Sequence, residues 1–362
     1  MSEQRRLKIS LLGRWQQLFE ALVLTCVAEG RVAEAFGWAE RARARAFADA
    51  FGVTAVRDAS AVQQALAEDE TLLSFFTTGV LVQDMPLLRA IPKENPLRAH
   101  ILLPAKTIRF TLTQTELTVQ DCGLNPNLFA TQSPRGFDAT RFLKTAVLQK
   151  LRHHLLPETL PTERLIINPH GPLHRVPFVA LAQGPVVRLT PSGTIFVQQR
   201  AATTGLGQGC VAAGFGGNDD GENGRLLPFA EAEAAQVARQ MVGEAKVGQP
   251  PKKEWLCEAA AGCRWLHLAC HGWFDDDDPL ASYLETGVNE RLTAREVLAG
   301  WRLTARLVVL SACETGVSQL VRGDEPLGLV RAFLAAGAQA VLVSQWRVDG
   351  RAAVLLVGRF YE

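Results

Sequence analysis

WLHLACHG (265–272) and ARLVVLSACETG (305–316) decide how the rest of the sequence is read. Each begins as an apolar run of strand length. The first runs into His271 and the second into Cys313. Outward from them, the order from Cys210 onward is strand, loop, helix, strand, helix, strand, helix, strand. CVAAGF (210–215) and AVLVSQW (340–346) supply the flanking strands. PFAEAEAAQVARQMV (228–242), LTAREVLAG (292–300) and LGLVRAFLAAG (327–337) have helical spacing. Apolar strands alternating with amphipathic helices predict a parallel sheet covered on both faces. Active residues of such sheets sit just past the C-terminal ends of strands.

His271 and Cys313 are thereby expected at one edge of one sheet. Their separation of 42 residues leaves room for a single crossover unit. A Cys with a His upstream at about this distance is the arrangement of caspase-type nucleophilic catalysis. The chemistry requires the pair, because a free thiol ionises near pH 8.5 and only a few per cent is thiolate at neutral pH. A neighbouring imidazolium raises that fraction, and the same His can protonate the leaving amine. Gly272 lets the backbone approach a scissile carbonyl, and its N–H with that of Cys313 forms the expected oxyanion hole. Taken singly, Cys313 reads as a small buried hydrophobe and His271 as a structural histidine.

LHLACHG (266–272), LSACETG (310–316) and RGDEPLGLVRAFLAAGAQAVLVSQWRVD (322–349) together resemble the CHAT peptidases. These are caspase- and separase-like cysteine proteases, often joined to tetratricopeptide repeats. INPHGPLHRVPFVAL (167–181) is similar to the family's strand-turn before a "PF" helix, and LLPFAEAEAAQV (226–237) to its LP-x-A-x-x-E helix start. The resemblance covers roughly residues 60–362. It implies His271 as catalytic His, Cys313 as nucleophile, and Gly272 with the Cys313 backbone as oxyanion hole. It also implies an α/β fold in which an inactive protease-like half precedes the active one. The domains expected are a tetratricopeptide-like helical hairpin over 1–55, a pseudo-protease half over 56–204 and an active half over 205–362. Family members continue for some tens of residues after "FY", whereas this sequence stops at Tyr361-Glu362, so closing helices or part of the cleft are expected to be missing. Regulated endoproteolysis of a protein partner, as in bacterial defence and cell death, follows from the resemblance alone. No cofactor is required. A catalytically inactive scaffold that binds a partner is the competing expectation, and a nucleotide-responsive module using the Gly-rich loop is a second.

Upstream, LLGRWQQLFEALVLTCVAEG (11–30) and RVAEAFGWAERARARAFADAFG (31–52) read as two helices about a turn at Gly30. One such hairpin has the size of a single tetratricopeptide repeat and must pack on something else. An ordinary helical hairpin fits the same pattern. Arg41, Arg43 and Arg45 read as a solvated stripe, with a regulatory protein as the other occupant of this surface. TLLSFF (71–76), AHILLPA (99–105), TIRFTLTQTELTV (107–119) and RLIINP (164–169) read as strands, and 138–156 as a helix.

The remaining features carry weaker signals. His267, on the strand that leads to His271, reads as structural, with orientation of His271 as the alternative. Cys257, Cys263, His267, Cys270 and His271 lack a C-x2-C pair, so no metal site is expected. GFGGNDDGENG (214–224) lacks the Gly-Lys-Ser/Thr ending of a P-loop and reads as a surface loop. His170 and His174 flank Gly171-Pro172 and read as a turn or as a vestigial catalytic position. Asp275, Asp324, Glu325 and Asp349 are specificity candidates, since an acid near the cleft would select Lys or Arg before the cut; loop and helix-capping carboxylates fit equally.

Lys and Arg number 38 against 37 Asp and Glu, a net charge of +1, which argues against direct nucleic-acid or polybasic membrane binding. No stretch is long and apolar enough to span a bilayer. Seven cysteines without framework spacing fit free thiols and a cytoplasmic setting. The expected partner is a protein substrate.

Overall fold

A computed structural model describes residues 3–51, 55–80, 92, 94–95, 103–129, 143–160, 162–201, 207–217, 227–248, 252–273, 275, 278–287, 289–312, 328–344 and 349–362. The chain divides into two compact units, one holding the described residues up to Arg200 and the other those from Ala201 to Glu362.

In the first unit, helices α1 (Glu3–Ala28) and α2 (Val32–Phe51) form the hairpin and α3 (Ala59–Ala65) follows. The Asp58 carboxylate accepts the Ala61 N–H and caps α3. The sheet contains β1 (Glu70–Thr78), β2 (Lys106–Leu112), β3 (Leu117–Asp121), β4 (Arg164–Asn168) and β5 (Val186–Leu189), in the order β3-β2-β1-β4-β5. β1 to β3 run antiparallel, and β1, β4 and β5 run parallel. Pleat alternation sends β1 residues to two cores. Leu73 and Phe75 face α4 (Thr145–Leu155) and α5 (Phe178–Ala182). Leu72 and Phe76 share a core with Phe36 of α2, Val62 of α3 and Phe196 of α6 (Gly193–Ala201). The hairpin thus buries its apolar face against this sheet.

Three expectations change here. The run 107–119 is two strands with a turn between them, because Thr113 Oγ1 accepts the Thr115 and Glu116 N–H groups and reverses the chain. Residues 103–105 are not strand, and 99–102 lie outside the described residues. Arg41 and Arg43 do not share a stripe: at 100° per residue they point nearly opposite ways. The Arg41 guanidinium lies 4.8 Å over the Trp38 ring, whereas Arg43 is buried and donates to Ser74 Oγ at 3.1 Å. The Arg45 side chain lies outside the described residues. Beside Arg43, buried Glu40 accepts the N–H groups of Gly193 and Thr194 at 3.1 and 2.9 Å, tying α2 to the start of α6.

The second unit is the predicted parallel sheet. β6 (Cys210–Gly214), β7 (Glu244–Lys246), β8 (Trp265–Ala269), β12 (Leu307–Ser311) and β13 (Val341–Val343) are ordered β13-β12-β8-β6-β7, all parallel. One face packs on α8 (Lys253–Ala261), α9 (Ala294–Gly300) and α10 (Leu329–Ala335), through Leu256, Val297 and Phe333. The other packs on α7 (Ala230–Gln240) and α11 (Gly350–Phe360), through Ala234, Val237 and Val357. β7, α8 and α11 had no signal assigned to them in the sequence. A small antiparallel sheet of β9 (His271–Trp273), β10 (Tyr283–Gly287) and β11 (Glu290–Thr293) also went unread. Its strands are too short to show a period of two. Among the described residues, no helix is long and apolar enough to cross a membrane.

Candidate active site

The site is built on two adjacent strands. β8 and β12 pair in parallel over five rungs, the last being Ser311 with Ala269. His271 follows Ala269 by two residues, and Cys313 follows Ser311 by two. Cys313 itself lies outside the described residues, as do Asp324 and Glu325.

β8 does not run on into His271. It stops at Ala269, and the buried Cys270 intervenes before β9 begins. His271 is half-buried and stands opposite Glu285 of β10, with Gly272 opposite Leu284 and Trp273 opposite Tyr283. The imidazole is therefore carried by the small sheet. The structure also corrects the placing of His267 on one strand with His271. His267 is fully buried within β8. Its Nε2 lies 3.0 Å from Glu233 Oε1 of α7, and its Nδ1 lies 3.3 Å from the Tyr361 hydroxyl. A carboxylate only accepts, so Nε2 carries the proton and Nδ1 accepts from Tyr361. Burial pushes the Tyr361 phenol well above its ordinary range, which keeps it a donor. Glu233 and Tyr361 are the partners that sequence reasoning missed. Glu233 is the acid of the LP-x-A-x-x-E run, and Tyr361 belongs to the terminal "FY", so both positions had a signal.

The acids near the site have local partners. Asp275 receives the Asp278 N–H on Oδ1 at 2.8 Å and donates its own N–H to Ser282 Oγ at 3.0 Å. Asp349 accepts the N–H groups of Arg351 and Ala352 and caps α11. Asp278 pairs with Arg295 at 2.7 Å.

Five of the described thiols are buried and held protonated. Burial pushes Cys210 and Cys263 up to about 11, and Cys122 and Cys270 up to about 12. Cys26 is also raised by burial.

The first unit also has a parallel strand pair that ends beside a His-Gly. β1 and β4 pair in parallel up to Ser74 with Asn168. Two residues further on stand Phe76 and His170, followed by Gly171. Those two positions meet: the rings of Phe76 and His170 lie 4.3 Å apart by centroid. His170 is buried, its Nδ1 accepting the Thr77 N–H at 3.0 Å with Thr77 Oγ1 at 2.8 Å. His174 lies in the 3-10 turn Gly171–Arg175.

An α/β sheet with His-Gly past one central strand and Ser-Ala-Cys at the end of its neighbour is the layout of the caspase-like proteases. The chain belongs to the CHAT-domain family, a caspase-like protease family, whose domain matches residues 138–362. Tetratricopeptide repeat protein 28 from Mus musculus is 46% identical over 172 residues, which covers 38% of this chain and 7% of that protein. Its counterpart from Homo sapiens is 46% identical over 173 residues, with the same coverage. The chain thus spans about 7% of the length of these curated relatives.

Proposed function

We propose that the chain is a cysteine endopeptidase that cleaves a protein partner, with Cys313 as nucleophile and His271 as acid and base. The observation that carries this reading is the shared offset of the two residues. Each lies two positions past the last rung between β8 and β12, Ser311 with Ala269. In the first unit the residues at that same offset, Phe76 and His170, are in ring contact. β8 and β12 lie about 4.8 Å apart where they pair, so both segments leave the sheet at one edge.

In the proposed cycle, Cys313 Sγ attacks the scissile carbonyl and its proton passes to His271. The N–H groups of Gly272 and Cys313 hold the oxyanion. His271 returns the proton to the leaving nitrogen, the C–N bond breaks and a thioester remains. Water, deprotonated by His271, then releases the acid and restores the thiol. No step needs a metal or cofactor. Asp275, Asp324, Glu325 and Asp349 are the acids that would favour a basic side chain before the cut. Asp275 and Asp349 also hold backbone N–H groups. We place the activity in the cytoplasm, in a regulated setting such as bacterial defence, with a regulatory protein docking on the N-terminal hairpin.

A thiol-reactive peptide probe tests the dyad, because buried thiols react slowly. The expected result is labelling at Cys313 that disappears in His271→Ala. Equal labelling of all cysteines, or identical partner cleavage by wild type and Cys313→Ala, would overturn it and leave the non-catalytic scaffold.

A further inference from the structure

The first unit has a cavity of about 280 Å³ away from the His-Gly turn, lined by Arg109, Gln120, Cys122, His153, His154 and Glu158 among others. Arg109 is the unusual member. It projects from β2 onto the face that packs on α4, and it is only 6% exposed. Buried arginines are nearly always paired with an acid. Arg109 donates to the Leu155 carbonyl at the end of α4 at 3.1 Å and to Gln120 Oε1 at 2.6 Å. Both acceptors are neutral. Its Nε has no acceptor, and no carboxylate lies within ion-pair distance among the described residues. The carbonyl end of α4 supplies at most about half a negative charge. Burial accordingly disfavours the charged guanidinium.

Two imidazoles also line the cavity. His154 Nδ1 lies 2.9 Å from the Cys122 carbonyl, so Nδ1 carries the proton there. The His153 ring lies 5.7 Å from it. The Cys122 thiol, pushed up to about 12 by burial, stays neutral and contributes no competing charge. Glu158 is exposed at the rim and is the single acid among the lining residues.

We propose that this cavity binds a tetrahedral oxyanion, a phosphate group either free or on a small phosphomonoester, with Arg109 as its cation and the imidazoles of His153 and His154 beside it. The size suits a small ligand, since it falls just below the usual range of about 300–1,000 Å³ for ligand pockets. A guanidinium can hold two oxygens of one anion, and here only neutral acceptors compete for it. Neither Cys313 nor His271 enters the proposal.

Titration calorimetry of the full chain with sulfate tests it, chloride holding ionic strength constant. Saturable binding is expected. Arg109→Gln should weaken binding by at least about tenfold, the loss of a charge-assisted pair. His154→Asn keeps a donor for the Cys122 carbonyl and should weaken binding by about threefold without disturbing the fold. Inorganic phosphate binding above glycerol phosphate assigns the free anion, and the reverse assigns a phosphomonoester. Absence of saturable binding, indifference to both substitutions, or equal binding of acetate would overturn the proposal.

Discussion

Strands β4 and β8 each lie between two parallel neighbours, and each leads into a His-Gly pair two residues beyond the last rung. After β4, the ring of His170 packs on Phe76, and its Nδ1 is engaged by Thr77. Gly171 has φ of +52°, and a Cβ there would stand 2.6 Å from Thr77 Oγ1. After β8, His271 stands half-buried in a separate short ladder, and in the sequence Cys313 lies two residues past the neighbouring strand β12. A His-Gly signature therefore says little by itself. In the turn after β4 the imidazole meets an aromatic wall.

The largest expected effect separates the two turns by activity. Cys313→Ala or His271→Ala should lower kcat/KM on a cleavable partner by at least about 10³-fold, as removal of a nucleophile or its base does elsewhere. His170→Ala should keep kcat/KM within about threefold, measured on folded protein. Equal losses in all three would erase the distinction.

A second test concerns the strand end beside His170. The buried carboxyl of Glu20 accepts the Gly79 N–H at 2.9 Å just past β1, and burial pushes it up from 4.5 to about 7. The folded state therefore binds this proton more tightly than the unfolded chain. Its stabilising effect is full below about pH 4.5 and fades as pH rises towards 7. Relative to wild type, Glu20→Gln should gain stability across that window, by up to about 3 kcal/mol. Urea melts of both proteins at pH 5 and 7.5 would show it; parallel curves at the two pH values would contradict it.

Gly171→Ala should cost about 2 kcal/mol, because the left-handed backbone and the contact with Thr77 act together. An unchanged denaturation midpoint would mean that the turn after β4 is looser than it stands here. The smallest effect is expected for Tyr361→Phe, which deletes one hydrogen bond to buried His267 and should cost about 1 kcal/mol. A loss of activity without that loss of stability would instead connect His267 to the chemistry.

Much of this layout was legible. CVAAG, WLHLA and LVVLS are runs of apolar residues bounded by polar or glycine positions, as strands buried on both faces must be. The order of His271 and Cys313 along adjacent strands came from the same pattern. The break at Cys270 was not legible, because LAC-HG continues the apolar run while the chain leaves one sheet for another. Nor was the burial of Arg43, whose sequence neighbours suggest a charged surface; its reason is the hydroxyl of Ser74 across the core. The pairing of His267 with Glu233 spans 34 residues of sequence and depends on α7 lying across β8.

The hydrogen-bonded ladder that carries His271 belongs to β9, β10 and β11, while the strand leading to Cys313 belongs to the parallel layer. The imidazole and the stem of the thiol-bearing segment thus sit on different ladders that share one core through Leu284 and Leu292, so repacking either leucine would shift the bearing of His271 without touching a rung between β8 and β12.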